Sequence, residues 1–166
     1  MSSFTAPLDI RYDATASKAL GRDHWRVTRG FVYYLGDLGS QRWVAVPAGF
    51  LTDGASVPRA FWSLIPPWGA YGQAAALHDY LCEYLSITVD GRPQNITRDV
   101  CDSILDEAMG VLGVEPALRK TIYDAVCAYR WVSGVSKPSS TALKRSLEAA
   151  WRDDPPASIP TLGVPV

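Results

Sequence analysis

The segment from Leu51 to Tyr80 constrains the fold more than any other part of the chain. It opens with Leu51-Thr52-Asp53-Gly54-Ala55-Ser56-Val57-Pro58 and closes with Ala76-Leu77-His78-Asp79-Tyr80. From Phe61 to Leu77 it has no charged residue, and Pro66-Pro67 interrupts that apolar run. The run is therefore neither one continuous helix nor a membrane span. Polar groups beside so apolar a stretch are drawn into partial burial, and buried polar groups need partners. The chain must fold so that a carboxylate on a glycine turn and a His-Asp pair find partners at the edge of a core.

The residues N-terminal to this segment read as β structure. Leu8 to Tyr12 and Trp25 to Thr28 alternate apolar and polar residues, and Phe31 to Leu35 continues as an apolar strand. Gly36-Asp37-Leu38-Gly39-Ser40 is a hairpin-like turn, and Arg42 to Val46 returns as a strand. From Pro58 onward the chain reads as α structure. Pro58 opens a short helix through Leu64, and a helix from Tyr71 to Leu85 places Leu77, Leu81 and Leu85 on one face. Ser86 to Asn95 is a loop or short hairpin. Thr97 caps a helix running to Leu112, and Pro116 starts another with a stripe of Leu118, Ile122, Ala125, Val126 and Tyr129.

The expected fold is α+β: a small N-terminal antiparallel sheet packed on three to four C-terminal helices. Residues 1–134 form the single domain. Residues 135–166 form a linker, a short amphipathic helix with Leu143, Leu147 and Trp151, and an extended arm containing Pro155, Pro156, Pro160 and Pro165. An arm of this kind suits docking on another subunit.

Charge and thiol content narrow the class. The chain has 166 residues and a net charge of −1, without the basic stripe that nucleic-acid binding requires. Its N-terminus has no signal-peptide pattern, and no stretch reads as membrane-spanning. Three cysteines, Cys82, Cys101 and Cys127, lack metal-ligand spacing and read as reduced core thiols. Six Trp and eight Tyr are generous, and core packing takes most of them. Trp62, Trp68 and Tyr71 are candidates for a partner-facing cluster, alongside Leu143, Leu147, Trp151, Pro156 and Pro160 of the C-terminal segment.

Helical geometry organises the candidate chemistry. At about 100° per residue, His78 lies at the border of the Leu77/Leu81/Leu85 face, beside Cys82. Asp79 points the other way, among Gly72, Ala75 and Glu83. On the next helix Asp102 is the carboxylate that turns inward, and Asp53 on its turn is placed to meet it. Two readings remain open. In one, Asp53, His78, Asp79 and Asp102 converge on a divalent metal that activates water for hydrolysis. The His-Asp dipeptide echoes helical His-Asp metal phosphohydrolases, but the upstream helical His is missing, since His24 falls in a predicted strand. In the other, the same residues form a hydrogen-bonded clamp: Asp53 caps its turn, Ser56 bonds locally, and His78 bridges loop to helix.

These residues resemble the DUF1353 family of phages and prophages. The resemblance runs from Val46 to Leu112 and more loosely to Val132. It rests on Val46-Pro47-Ala48-Gly49-Phe50, Thr52 to Pro58, Pro66-Pro67, Ala76, His78-Asp79 and Leu81, then Arg98 with Asp102 ahead of Gly113-Val114. Cys101 stands where the family pattern has Ala. The resemblance implies a phage or prophage origin and a joint role for Asp53, His78, Asp79 and Asp102. It brings no established activity. The expectation is an accessory or structural protein made in the host cytoplasm and carried in the virion, in the tail or elsewhere. It would contact other phage structural proteins or further copies of itself. The alternative is a metal-dependent hydrolase, acting on the bacterial cell wall or on a small phosphorylated substrate.

Overall fold

The computed structural model describes residues 3–54 and 69–153. The helix expected from Pro58, the Pro66-Pro67 turn, Ser56, Trp62, Trp68 and the arm with Pro156 and Pro160 lie outside the described residues. Among the described residues, two antiparallel sheets form where one was expected. The first joins β1 (Asp9–Tyr12), β2 (Trp25–Arg29) and β5 (Leu51–Thr52) in the order β1-β2-β5. The second joins β3 (Phe31–Tyr34), β4 (Arg42–Val46), β6 (Ser86–Val89) and β7 (Arg92–Asn95) in the order β3-β4-β6-β7. The Phe31–Val46 hairpin forms in register, Phe31 against Val46 and Tyr34 against Trp43. Ser86 to Asn95 is a hairpin, turned by Asp90 and Gly91, both at positive φ, and it extends the second sheet.

A helix that the sequence pattern does not announce, α1 (Ala14–Leu20), separates β1 from β2. Asp13 caps it by accepting the Ala16 N–H at 2.8 Å, and Gly21 ends it in the left-handed conformation. Only seven residues long, it shows too little periodicity to stand out.

The other helices are α2 (Gly72–Tyr84), α3 (Arg98–Val111), α4 (Pro116–Ser133) and α5 (Ala142–Asp153). Of these, α2 is central, buried from Gly72 through His78 on all sides. Leu77 and Leu81 are fully enclosed, in a core shared with Tyr33, Phe50, Leu105 and Met109. The run of Ala74-Ala75-Ala76 lets neighbouring backbone approach the faces that Leu77 does not fill.

Two expectations about helix faces change. On α3, which packs between α2 and α4, burial centres on Cys101, Ile104, Leu105, Ala108 and Met109. Asp102, expected to turn inward, is 3% exposed. On α4, Ile122, Ala125 and Val126 are buried, but the stripe leaves the core before Tyr129, which is 55% exposed. On α5, the fully buried residues are Lys144 and Glu148, while Leu143 is exposed. This helix lies on the chain's own β structure. Gly49, at φ +87°, leaves no room for a side chain, since a Cβ there would sit 2.8 Å from the Trp151 ring. No helix among the described residues is long and apolar enough to cross a membrane.

Candidate functional site

The expected polar residues gather around one cavity of about 350 Å³ between α2, α3, α4, the turn after β5 and the start of α5. They form two groups on different walls.

His78 and Asp102 make the first group. His78 Nε2 lies 2.9 Å from Asp102 Oδ1, with both side chains buried. The second oxygen, Oδ2, accepts from Arg130 Nε of α4 at 2.7 Å and from the Cys127 thiol at 3.8 Å. One carboxylate thus ties together three helices. Burial pulls the His78 imidazolium down, but Cys82 and Asp102 outweigh it and raise the group from 6.5 to about 10. Burial alone would raise the Asp102 carboxyl, yet its bonds to His78 and Arg130 hold it below the ordinary value. Among the described residues His78 bridges helix to helix, not loop to helix as the sequence suggested.

Asp53 and Asp79 make the second group. Thr52 Oγ1 donates to Asp79 Oδ2 at 2.5 Å and also accepts the Gly54 N–H at 3.2 Å, which fixes the turn against α2. Asp53 pairs with Arg22 at 3.0 Å, so it faces the loop before β2 rather than Asp102. Burial first, and the Asp53 charge second, push Asp79 from 3.8 to about 7.

Sequence reasoning missed the residues of α5 that complete this wall. Lys144 Nζ pairs with Glu83 of α2, lies 4.0 Å from Glu148, and sits over the Phe50 ring at 4.6 Å. Burial lowers the Lys144 ammonium against the pull of Asp79, Glu148 and Asp53. Glu148, 1% exposed, accepts the Leu51 N–H at 3.0 Å and the Tyr84 hydroxyl at 3.3 Å. Arg26 reaches the Leu147 carbonyl at 3.4 Å and the Trp151 ring at 5.7 Å, while its Nε binds Asp13 at 2.7 Å. The one available signal was the i,i+4 spacing of Lys144 and Glu148, which the Leu143/Leu147/Trp151 stripe overshadowed.

Two further expectations are corrected. Tyr71, offered as partner-facing, is 2% exposed and packs in the core at the start of α2. Leu147 and Trp151, offered for the same role, are partly buried on the chain's own surface beside Arg26 and Gly49. His24 is 1% exposed, lies just before β2 and keeps its Nδ1 within 2.9 Å of the Arg22 carbonyl oxygen, so it contributes nothing to the cavity. As for the metal reading, no group of three or more His, Cys, Asp or Glu among the described residues is placed to hold a metal ion.

A stretch of 86 residues is 40% identical to "Uncharacterized protein y4jT" of Sinorhizobium fredii (strain NBRC 101917 / NGR234), covering 51% of this chain and 23% of that protein. The chain thus spans less than a quarter of that relative's length. No solved structure matches the chain. Residues 25–126, which hold Asp53, His78, Asp79 and Asp102, match the family described as "Protein of unknown function (DUF1353)". That match takes in more than half of the sequence, and the chain belongs to the DUF1353 family.

Proposed function

We propose that this is an accessory or structural protein of a phage or prophage, carried in the particle. In this reading the Asp/His cluster locks the fold and does not turn over a substrate. The observation that carries the reading is the use to which the cluster is put. Asp102 holds α2, α3 and α4 together, Asp79 holds α2 to the turn after β5, and Glu148 holds α5 to Leu51. His78, Asp79 and Asp102 line the cavity, and each is also hydrogen-bonded to a neighbouring element, as a clamp requires.

The end of α4 gives such a protein a surface for its neighbours. Tyr129, Trp131 and Val132 are 55%, 84% and 78% exposed, the kind of aromatic patch that interfaces favour. The rival, a metal-dependent hydrolase, has no ligand set among the described residues to support it. The test is mass spectrometry of particles purified by density gradient from the lysate of a host carrying the gene. The chain is expected in the particle band at a fixed ratio to the other particle proteins. Its confinement to the unassembled fraction would overturn the proposal.

A further inference from the structure

Among the described residues, three buried side-chain atoms have no hydrogen-bond partner: the Tyr71 hydroxyl, Glu83 Oε2 and Arg98 Nε. Tyr71 belongs to the core, but Glu83 and Arg98 both line the cavity of about 350 Å³. Glu83 is 7% exposed, and Lys144 holds its Oε1, which leaves the acceptor capacity of Oε2 unused. Arg98 donates from Nη2 to the Lys137 carbonyl at 2.7 Å, and its Nε is left over. The two orphan atoms carry opposite charge yet do not pair with each other. Buried polar atoms are almost always satisfied, so a carboxylate oxygen and a guanidinium N–H left over around one cavity call for a third party that serves both.

The charges that line the cavity are divided in the same sense. One wall is built from α2, α5, the turn after β5 and the loop before β2. There the carboxylates of Asp53, Asp79 and Glu83 outnumber the cations of Arg22 and Lys144. Asp79 and Glu83 stand four residues apart on α2, on one face of the helix. On the α3–α4 wall, the guanidiniums of Arg98 and Arg130 outnumber the Asp102 carboxylate. Arg130 commits Nε to Asp102, and its side chain is 33% exposed, which leaves the rest of the guanidinium accessible. An ion of one sign would gain at one wall and be repelled at the other, whereas a molecule with an ammonium at one end and a carboxylate at the other suits both. The volume is at the small end of ligand pockets, which run from roughly 300 to 1,000 Å³.

We propose that this cavity binds a small zwitterion of the α-amino-acid class, with its ammonium on Glu83 beside Asp79 and its carboxylate on Arg98 and Arg130. The ammonium donates to Glu83 Oε2 and Arg98 Nε donates to the carboxylate, so one ligand satisfies both orphan atoms. No bond is made or broken. The ties of Asp102 and Asp79 stay in place, and the cavity holds the ligand without turning it over.

The experiment is isothermal titration calorimetry of the full chain at pH 7 with glycine and the common L-amino acids, one at a time. At least one is expected to bind, at a single site. Its methyl ester lacks the carboxylate charge and its N-acetyl derivative lacks the ammonium, and each should bind at least about tenfold more weakly. Arg98→Gln should weaken binding of the parent amino acid about tenfold while the chain still melts cooperatively. If that variant does not fold, the comparison of ester and N-acetyl derivative on the wild-type chain decides. Absence of binding by every amino acid, the result for a cavity filled by water alone, would overturn the proposal. Binding of the ester or the N-acetyl derivative as tight as that of the parent would also overturn it, and so would undiminished binding by folded Arg98→Gln.

Discussion

Asp102 Oδ1 lies 2.9 Å from His78 Nε2, with both residues buried, and this contact joins the third helix to the second. The same imidazole sits 3.5 Å from the Cys82 sulfur. Its charge is therefore supported from two sides.

This pairing sets a pH dependence. The raised His78 contributes stability that is complete below its unfolded value of 6.5 and lost as pH rises through about 10. The lowered Cys82 contributes stability that is complete above its unfolded value of 9.0 and lost as pH falls toward its folded value. Between pH 6.5 and 9.0 the two slopes oppose each other, and the pair gives a plateau. Cys82→Ala removes one of the two supports of the imidazolium, so His78 is expected to titrate at a lower pH by NMR than in the wild-type chain, and an unchanged titration would contradict this.

Asp79 gives a second, separate slope. Its folded value is raised from 3.8 to about 7, so its contribution is complete below 3.8 and lost as pH rises through 7. Asp79→Asn keeps an oxygen for the Thr52 hydroxyl but has no charge to bury. It should flatten the stability profile between pH 4 and 7 and leave the chain more stable than wild type at pH 8. A steeper profile in the variant would count against burial as the cause.

Removing either charge of the α5 wall should be costly. Glu148→Ala leaves the buried Leu51 N–H without its acceptor, a loss of about 2 kcal/mol. Lys144→Met removes the cation shared by Glu83 and Glu148, and the Asp79 carboxyl, which Lys144 also stabilises, should titrate at a higher pH by NMR.

The exposed end of α4 should behave in the opposite way. Trp131→Ala, at a residue 84% exposed, is expected to change stability by less than about 0.5 kcal/mol. If the protein is carried in a particle through this surface, the same substitution lowers its recovery in the particle band while the soluble chain remains folded.

Much of this arrangement was legible from the residues. Alternation located β1 and β2, an apolar run and a turn located β3 and β4, and helical spacing with Thr97 and Pro116 bounded α2 and α3 to within two residues and fixed the start of α4. The inward turn of Asp102 also came from spacing, because a helix face is fixed once its apolar residues are counted. Pairing was not legible. Asp53 on its turn looked placed to meet Asp102, but partner choice depends on how elements cross: Asp53 pairs with Arg22, and Asp102 with His78 and Arg130. The buried charges of α5 were hidden for a related reason. Lys144 and Glu148 are normally solvent residues, and only the carboxylate of Glu83 and the N–H of Leu51 make their burial tolerable.

If the polar cluster is a clamp, its central pair must be energetically coupled, and a double-mutant cycle tests this most directly. His78→Gln, Asp102→Asn and the double variant would be compared by equilibrium unfolding at pH 7. Each single change is expected to cost about 3 kcal/mol, with a coupling of about 2 kcal/mol between them. Single variants as stable as wild type, with costs that simply add, would contradict the clamp.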